Sequence, residues 1–420
     1  MKNKRSYSNI ILTKDFYGLI YAFKKNLKNS VTVLLDSDFD TSFYLSSLNV
    51  KSLSRFLDEY EVDLDLYIEP INTMAKLDSK LIFLSDSPFL NLYEMYRKFE
   101  IDTSELSSLE PERFNDCFES LIDEVSNSEI HGSDLKEQIY AILRRNYYVY
   151  DAIRPLLSIV KEDKVESYLF NYYIQTLHST SFASELDEAQ TIYFVISALS
   201  RSYKVSSAKL INELCFKLKS LDKGLITTKN VELFSDKILL DGEYGLLSFQ
   251  KLMHFYMDKS LSFKSLDFDI YNSCSFVSSL KVKGLEHFKN TRLIDIKSRS
   301  LGGDFPHNEV FIDDKMQIKS LFYYKKLEAD KESFYADIAI EKAYIFLRDL
   351  FIDIDEDKFI KSVKEEGTSS KLYRSTSKSI KTQYANSIVD SNDSILRKYS
   401  YLGAASSHYM GQSSYNKSLF

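Results

Sequence analysis

The chain reads as an α/β protein: an open sheet whose parts are separated along the sequence by a helical insertion and a second sheet. Three observations predict this. Residues 9–38 carry a strand, a turn, a helix and a second strand. From Pro111 to Ser202 the apolar residues change to helical spacing, and beyond Leu225 short apolar and alternating runs return.

Taken in order, Ile10, Ile11 and Leu12 form a short apolar strand. Tyr17 to Lys25 has helical spacing with Leu19, Ala22 and Phe23 inward, and Val31 to Leu35 is a second apolar run closed by Asp36. This is a mononucleotide-binding type of βαβ opening. After Asp36 the chain is polar and irregular. Apolar runs broken by Pro70 and Pro88 predict short strands between Phe56 and Phe99 and a helix over Asn91 to Phe99. In the helical stretch Leu135, Ile139, Ile142 and Leu143 recur on one stripe, and Pro155 breaks a helix near its start. Ser206 or Ser207 caps the clearest helix, whose Leu210, Ile211, Leu214, Cys215, Leu218 and Leu221 share a stripe, with Gly224 just past its end. A strand over Leu225 to Phe234 follows. Phe268 to Val282, Arg292 to Ile296, and two strands between Val310 and Tyr324 around Asp313, Asp314 and Lys315 predict a second sheet. Ile338 to Phe351 reads as a helix, Gly367 to Asn392 as Ser-rich loop, and Tyr399 to Gly411 as an apolar, small-residue stretch.

A chain of 420 residues is long enough for two or three folding units. With 44% hydrophobic and 27% charged residues it has the composition of an ordinary globular protein. The net charge of −7 offers no overall attraction to nucleic acid or anionic membrane surfaces. No apolar run approaches membrane-spanning length, and Cys117, Cys215 and Cys274 have no metal or disulfide spacing, so a cytoplasmic protein without an integral membrane segment is expected. Glycine is scarce: 11 residues, where average usage would give about thirty.

That scarcity reaches the first turn. A dinucleotide site wants three glycines there: one to turn, one to let the backbone reach the pyrophosphate, and one to pack helix on strand. Those places fall on Thr13, Asp15 and Gly18. Only the packing glycine remains, and Asp15 would aim a carboxylate at the helix N-terminus, where phosphate charge should sit.

The order of parts resembles the flavin-dependent amine oxidase and phytoene desaturase superfamily. The resemblance implies a discontinuous Rossmann-like domain of the FAD/NAD(P)-binding type, formed by residues 1–55, 203–245 and 385–420. It also implies a mainly helical insertion over 56–202 and a sheet-plus-helix substrate-type domain over 246–384. Asp36 matches the acidic residue that holds the adenosine ribose, and Val231 resembles the valine whose backbone meets adenine. Ser206 and Ser207 stand where that family has a Gly-Gly pair. Gly403 and Ala404 stand where it has Gly-Asp beside the flavin, and its Gly-Gly-Arg type segment has become Ser37, Asp38, Phe39 and Asp40. The superfamily includes a non-catalytic branch, the Rab GDP-dissociation inhibitors, whose signature residues are absent here.

Other constellations carry competing chemistry. Asp36, Ser37 and Asp38 form an Asp-X-Asp triplet of the kind that holds a divalent metal in nucleotide-sugar glycosyltransferases, although only one βα unit precedes it. Asp353, Asp355 and Asp357 mimic a calcium loop, but Lys358 and Lys364 occupy its glycine and glutamate places. His131, His178, His254, His287, His307 and His408 show no close metal-ligand spacing, and Gly302 and Gly303 with Pro306 read as a turn. The 30 tyrosines and 29 phenylalanines fill a core more readily than they line a cavity.

The sequence therefore predicts a non-catalytic pseudoenzyme, a binding protein with no cofactor or metal, whose partner is an unknown protein or an apolar small molecule. The alternative is an FAD-dependent oxidoreductase with an unusual cofactor site built from Thr13, Asp15, Gly18, Asp36, Val231, Gly403 and Ala404. A second alternative is a metal-dependent glycosyltransferase using Asp36, Ser37 and Asp38.

Overall fold

The computed structural model describes residues 5–13, 19, 22–23, 29–35, 43–127, 135–159, 165–177, 188–221, 224–229, 231–233, 237–241, 245–254, 261–263, 268–278, 285–297, 307–324, 332–350, 353–366 and 368–376. Asp15, Gly18, Asp36, Ser37, Asp38, Gly302, Gly303, Gly403 and Ala404 lie outside these residues.

Strands β1 (Arg5–Thr13), β2 (Ser30–Leu35), β7 (Gly224–Thr228) and β10 (Leu246–His254) are parallel neighbours in the order β10-β1-β2-β7. Their buried, β-branched residues suit strands covered on both faces; Ile10, Ile11, Leu12, Val31 and Val33 are all buried. The sheet continues past β10 through an antiparallel excursion, β9 (Lys237–Leu240) and β8 (Val231–Leu233), to β11 (Leu261–Phe263), which runs parallel to β8. Gly245, at φ 63°, supplies the left-handed residue that closes the β9–β10 hairpin, where Leu240 N–H donates to its carbonyl at 2.9 Å.

One face of this sheet packs on helical Leu19, Ala22 and Phe23. Leu53, Phe56 and Leu57 of helix α1 (Ser47–Asp58) and Leu210, Leu214 and Leu218 of a later helix, Ser207–Ser220, join the same cluster. The predicted Leu210–Leu218 stripe is thus the face that closes the parallel sheet.

The second sheet has nine strands. Its path is β16 (Thr368–Thr376), β12 (Phe268–Ser278), β15 (Ile318–Tyr324), β14 (His307–Ile312), β13 (Thr291–Ile296), β4 (Ile68–Leu77), β6 (Ser202–Val205) and β3 (Phe43–Ser46), with β5 (Lys80–Leu84) also paired to β4. Among the described residues, only its β13–β4 pair is parallel. Alternate residues of its central strands serve two cores. Ala75, Leu77, Ile294 and Ile296 face the helices α2 (Pro88–Lys98), α3 (Pro111–Asn127), α4 (Leu135–Arg145), α5 (Tyr147–Ile159), α6 (Val165–Leu177) and α7 (Glu188–Leu199). Met74, Leu293, Val310 and Ile312 face Ile340, Ala343, Phe346 and Leu347 of α9 (Glu332–Asp349), with Phe359 and Val363 of α10 (Glu356–Glu366) behind. Burial on both faces explains why all of Thr291–Ile296 is buried. With the Ser207–Ser220 helix numbered α8, the chain is an α/β protein whose discontinuous Rossmann-like sheet is interrupted by an inserted helical layer and a largely antiparallel sheet.

Several local expectations are corrected. The chain after Asp36 contains β3 and α1, and the helix expected from Asn91 begins at Pro88, where Ser87 Oγ accepts the Leu90 N–H at 3.4 Å. Pro155 lies inside α5 rather than near its start, and Asp151, the residue four places before it whose carbonyl a proline cannot bond, is exposed to water. The strand expected over Leu225 to Phe234 is two strands, β7 and β8, which belong to different parts of the sheet. The expected loop after Gly367 holds β16, which pairs with β12 along its whole length. Asp355, in the calcium-like run, is a helix cap: its Oδ1 accepts the Lys358 N–H at 3.0 Å. Sheet membership also crosses the expected segment limits, because β3 and β6 join the nine-stranded sheet and β10 joins the parallel one. Among the described residues, no helix is long and apolar enough to cross a membrane, and no group of three His, Cys, Asp or Glu is placed to hold a metal ion.

Candidate functional site

The strand order sets the first candidate site. From β1 the chain proceeds outward through β2 to β7, and then returns to place β10 on the other side of β1. The strand order thus reverses between β1 and β10, and open α/β sheets bind ligands outside the carboxyl ends of the strands at such a point. Thr13 ends β1 beside Leu34, and Thr228 ends β7 beside Leu35. Both threonines are buried, as is Thr32.

Of the predicted site residues, Thr13 and Val231 are described. Thr13 shares a face of β1 with Ile11, the face packed on Leu19 and Phe23, so its side chain occupies interior space where a glycine would leave none filled. Val231 is buried in β8, between Leu240 of β9 and Leu261 of β11. Sheet order puts β9 and β10 between the two strands, and the register aligns Val231 with the amino end of β1 whereas Thr13 stands at its carboxyl end, so the two residues lie at opposite ends of the sheet. Thr13 and Val231 are thus in one sheet but not in contact. Ser206, in a family glycine place, is the N-terminal flanking residue of α8, and its N–H donates to the Tyr67 carbonyl at 2.7 Å.

A second polar group of residues, which sequence reasoning missed, lies on the nine-stranded sheet. Arg292, the second residue of β13, is 1% exposed. It sits beside Thr73 in the parallel β13–β4 register and opposite Phe311 in the β13–β14 pair. The guanidinium carbon stands 4.3 Å from the centroid of the Tyr44 ring, and Nη1 donates to the Leu177 carbonyl at 2.8 Å. One turn back on α6 is Tyr173, fully buried. Burial pushes the Tyr173 hydroxyl well above its ordinary pKa, with the Arg292 cation pulling the other way. Neither Tyr173 OH nor Thr73 Oγ1 has a hydrogen-bond partner. The sequence signal was present: an arginine at the start of the strand-like Arg292–Ile296 run.

On the opposite face of β13, Asp295 is also buried, with its Oδ2 3.6 Å from Lys297 Nζ. Burial raises its carboxyl pKa against the pull of Lys297 and Lys76. A carboxyl whose pKa is raised by folding contributes most below the ordinary carboxylate range near pH 4, and that contribution is lost as pH rises through the folded value. Asp295→Asn should therefore raise stability at neutral pH and lose that advantage near pH 3.5. Urea midpoints of both proteins at the two pH values would check it, an equal shift at both being inconsistent with the burial effect.

No family model matches the chain, and no curated protein matches it. Solved structures share its chain path at low identity. A peptidyl tryptophan dihydroxylase essential for tryptophylquinone cofactor biogenesis is 7% identical with a TM-score of 0.41, covering 88% of this chain and 57% of that one. The chain thus spans little more than half of that protein's length. A Rab GDI from Plasmodium falciparum is 9% identical with a TM-score of 0.45, covering 89% of this chain and 90% of that one. A probable FAD-dependent monooxygenase from Pseudomonas aeruginosa is 7% identical with a TM-score of 0.35, covering 95% and 86%. These likenesses concern the path of the chain alone, and no residue role transfers from them.

Proposed function

We propose that the chain is a dinucleotide-scaffold protein of the flavin oxidoreductase type, with its ligand in the crevice outside the carboxyl ends of β1 and β10 and FAD as the candidate ligand. The observation that carries this reading is the parallel order β10-β1-β2-β7 with its reversal at β1. Val231, in the antiparallel excursion through β8 and β9, aligns in register with the amino end of β1, so it does not belong to this crevice. On this reading the parallel sheet with α8 is one unit, and the nine-stranded sheet with its two helical layers is the other.

A second reading is favoured by Thr13. A buried side chain where the main chain should be bare, together with Asp15 in the next glycine place, suits a cofactor-free binding protein that retains the crevice.

The two readings separate in a thermal melt of the full chain with and without FAD. Binding to the folded state alone stabilises by about 2.7 kcal/mol at a hundred times Kd. A saturable rise in Tm with FAD supports the first reading, and no rise supports the second. Under the second reading Asp15→Gly alone should not restore FAD binding, because Thr13 and Ala404 still depart from the family pattern.

A further inference from the structure

We draw no further inference here: the strongest candidate, the outer edge of β5 (Lys80–Leu84), a strand paired to β4 with Phe83 57% exposed on it, carries nothing because nothing in the structure shows what covers it.

Discussion

Phe118→Ala should cost about 3–5 kcal/mol, the usual price of emptying a buried aromatic position. Phe118 is 0% exposed on α3 and stacks on Phe114 with ring centroids 5.9 Å apart. Phe114 in turn meets Phe89 of α2 edge-on at 5.9 Å. This chain of rings belongs to the largest apolar cluster, which joins the inserted helices to Ala75, Leu77, Ile294 and Ile296 of the nine-stranded sheet. Relaxation around the void is limited, because side chains from several helices and the sheet would have to move together. Chemical denaturation followed by far-UV circular dichroism would measure the loss. A cost below about 1 kcal/mol would mean that the ring is not enclosed as described.

Asn91→Ala should cost about 2–4 kcal/mol through unpaired polar groups rather than lost volume. Asn91 is 0% exposed, and its Oδ1 accepts from the Ser85 N–H at 2.7 Å and the Ser85 hydroxyl at 3.2 Å. Its Nδ2 donates to the Ser85 carbonyl at 3.0 Å and the Leu199 carbonyl at 2.8 Å. One side chain thereby ties the turn after β5 to the end of α7, 108 residues away in sequence. Alanine leaves the Leu199 carbonyl without this donor in a dry setting. Asn91→Asp should be comparably harmful, since a carboxylate accepts but cannot donate to the two carbonyls. Equal stability of parent and Asn91→Ala protein would contradict the network.

The legible parts of the fold were those in which local pattern and tertiary burial agree. The Ile10–Leu12 and Val31–Leu34 residues are all buried, and the Leu210–Leu218 stripe is the face that meets the sheet. Helix α1 was missed because its buried face contains Ser47, Asn49 and Ser52 beside Leu48, Leu53, Phe56 and Leu57, which masks the apolar period. Those polar residues are accommodated by local bonds: Ser46 Oγ accepts the Asn49 N–H at 3.3 Å, and Ser52 Oγ donates to the Leu48 carbonyl at 3.0 Å. Strand β16 was missed because Thr-Ser-Ser-Lys carries no apolar run; its pairing with β12, nearly a hundred residues earlier, is not a local property. The same reason hid the Arg292 group. Thr73, Tyr173 and Arg292 come from three distant segments, and only the β13–β4 register and the end of α6 bring them together.

Thr13 was singled out from sequence as a lost glycine, and its burial gives that reading a physical form. The strand order around it speaks for the ligand instead. The most direct arbiter is the visible absorbance spectrum of the full-length protein, purified, incubated with excess FAD and passed through gel filtration. A retained flavin band, in stoichiometric amount, is the result expected if the crevice at β1 and β10 holds a dinucleotide. A colourless protein that carries no flavin through the column would contradict that account.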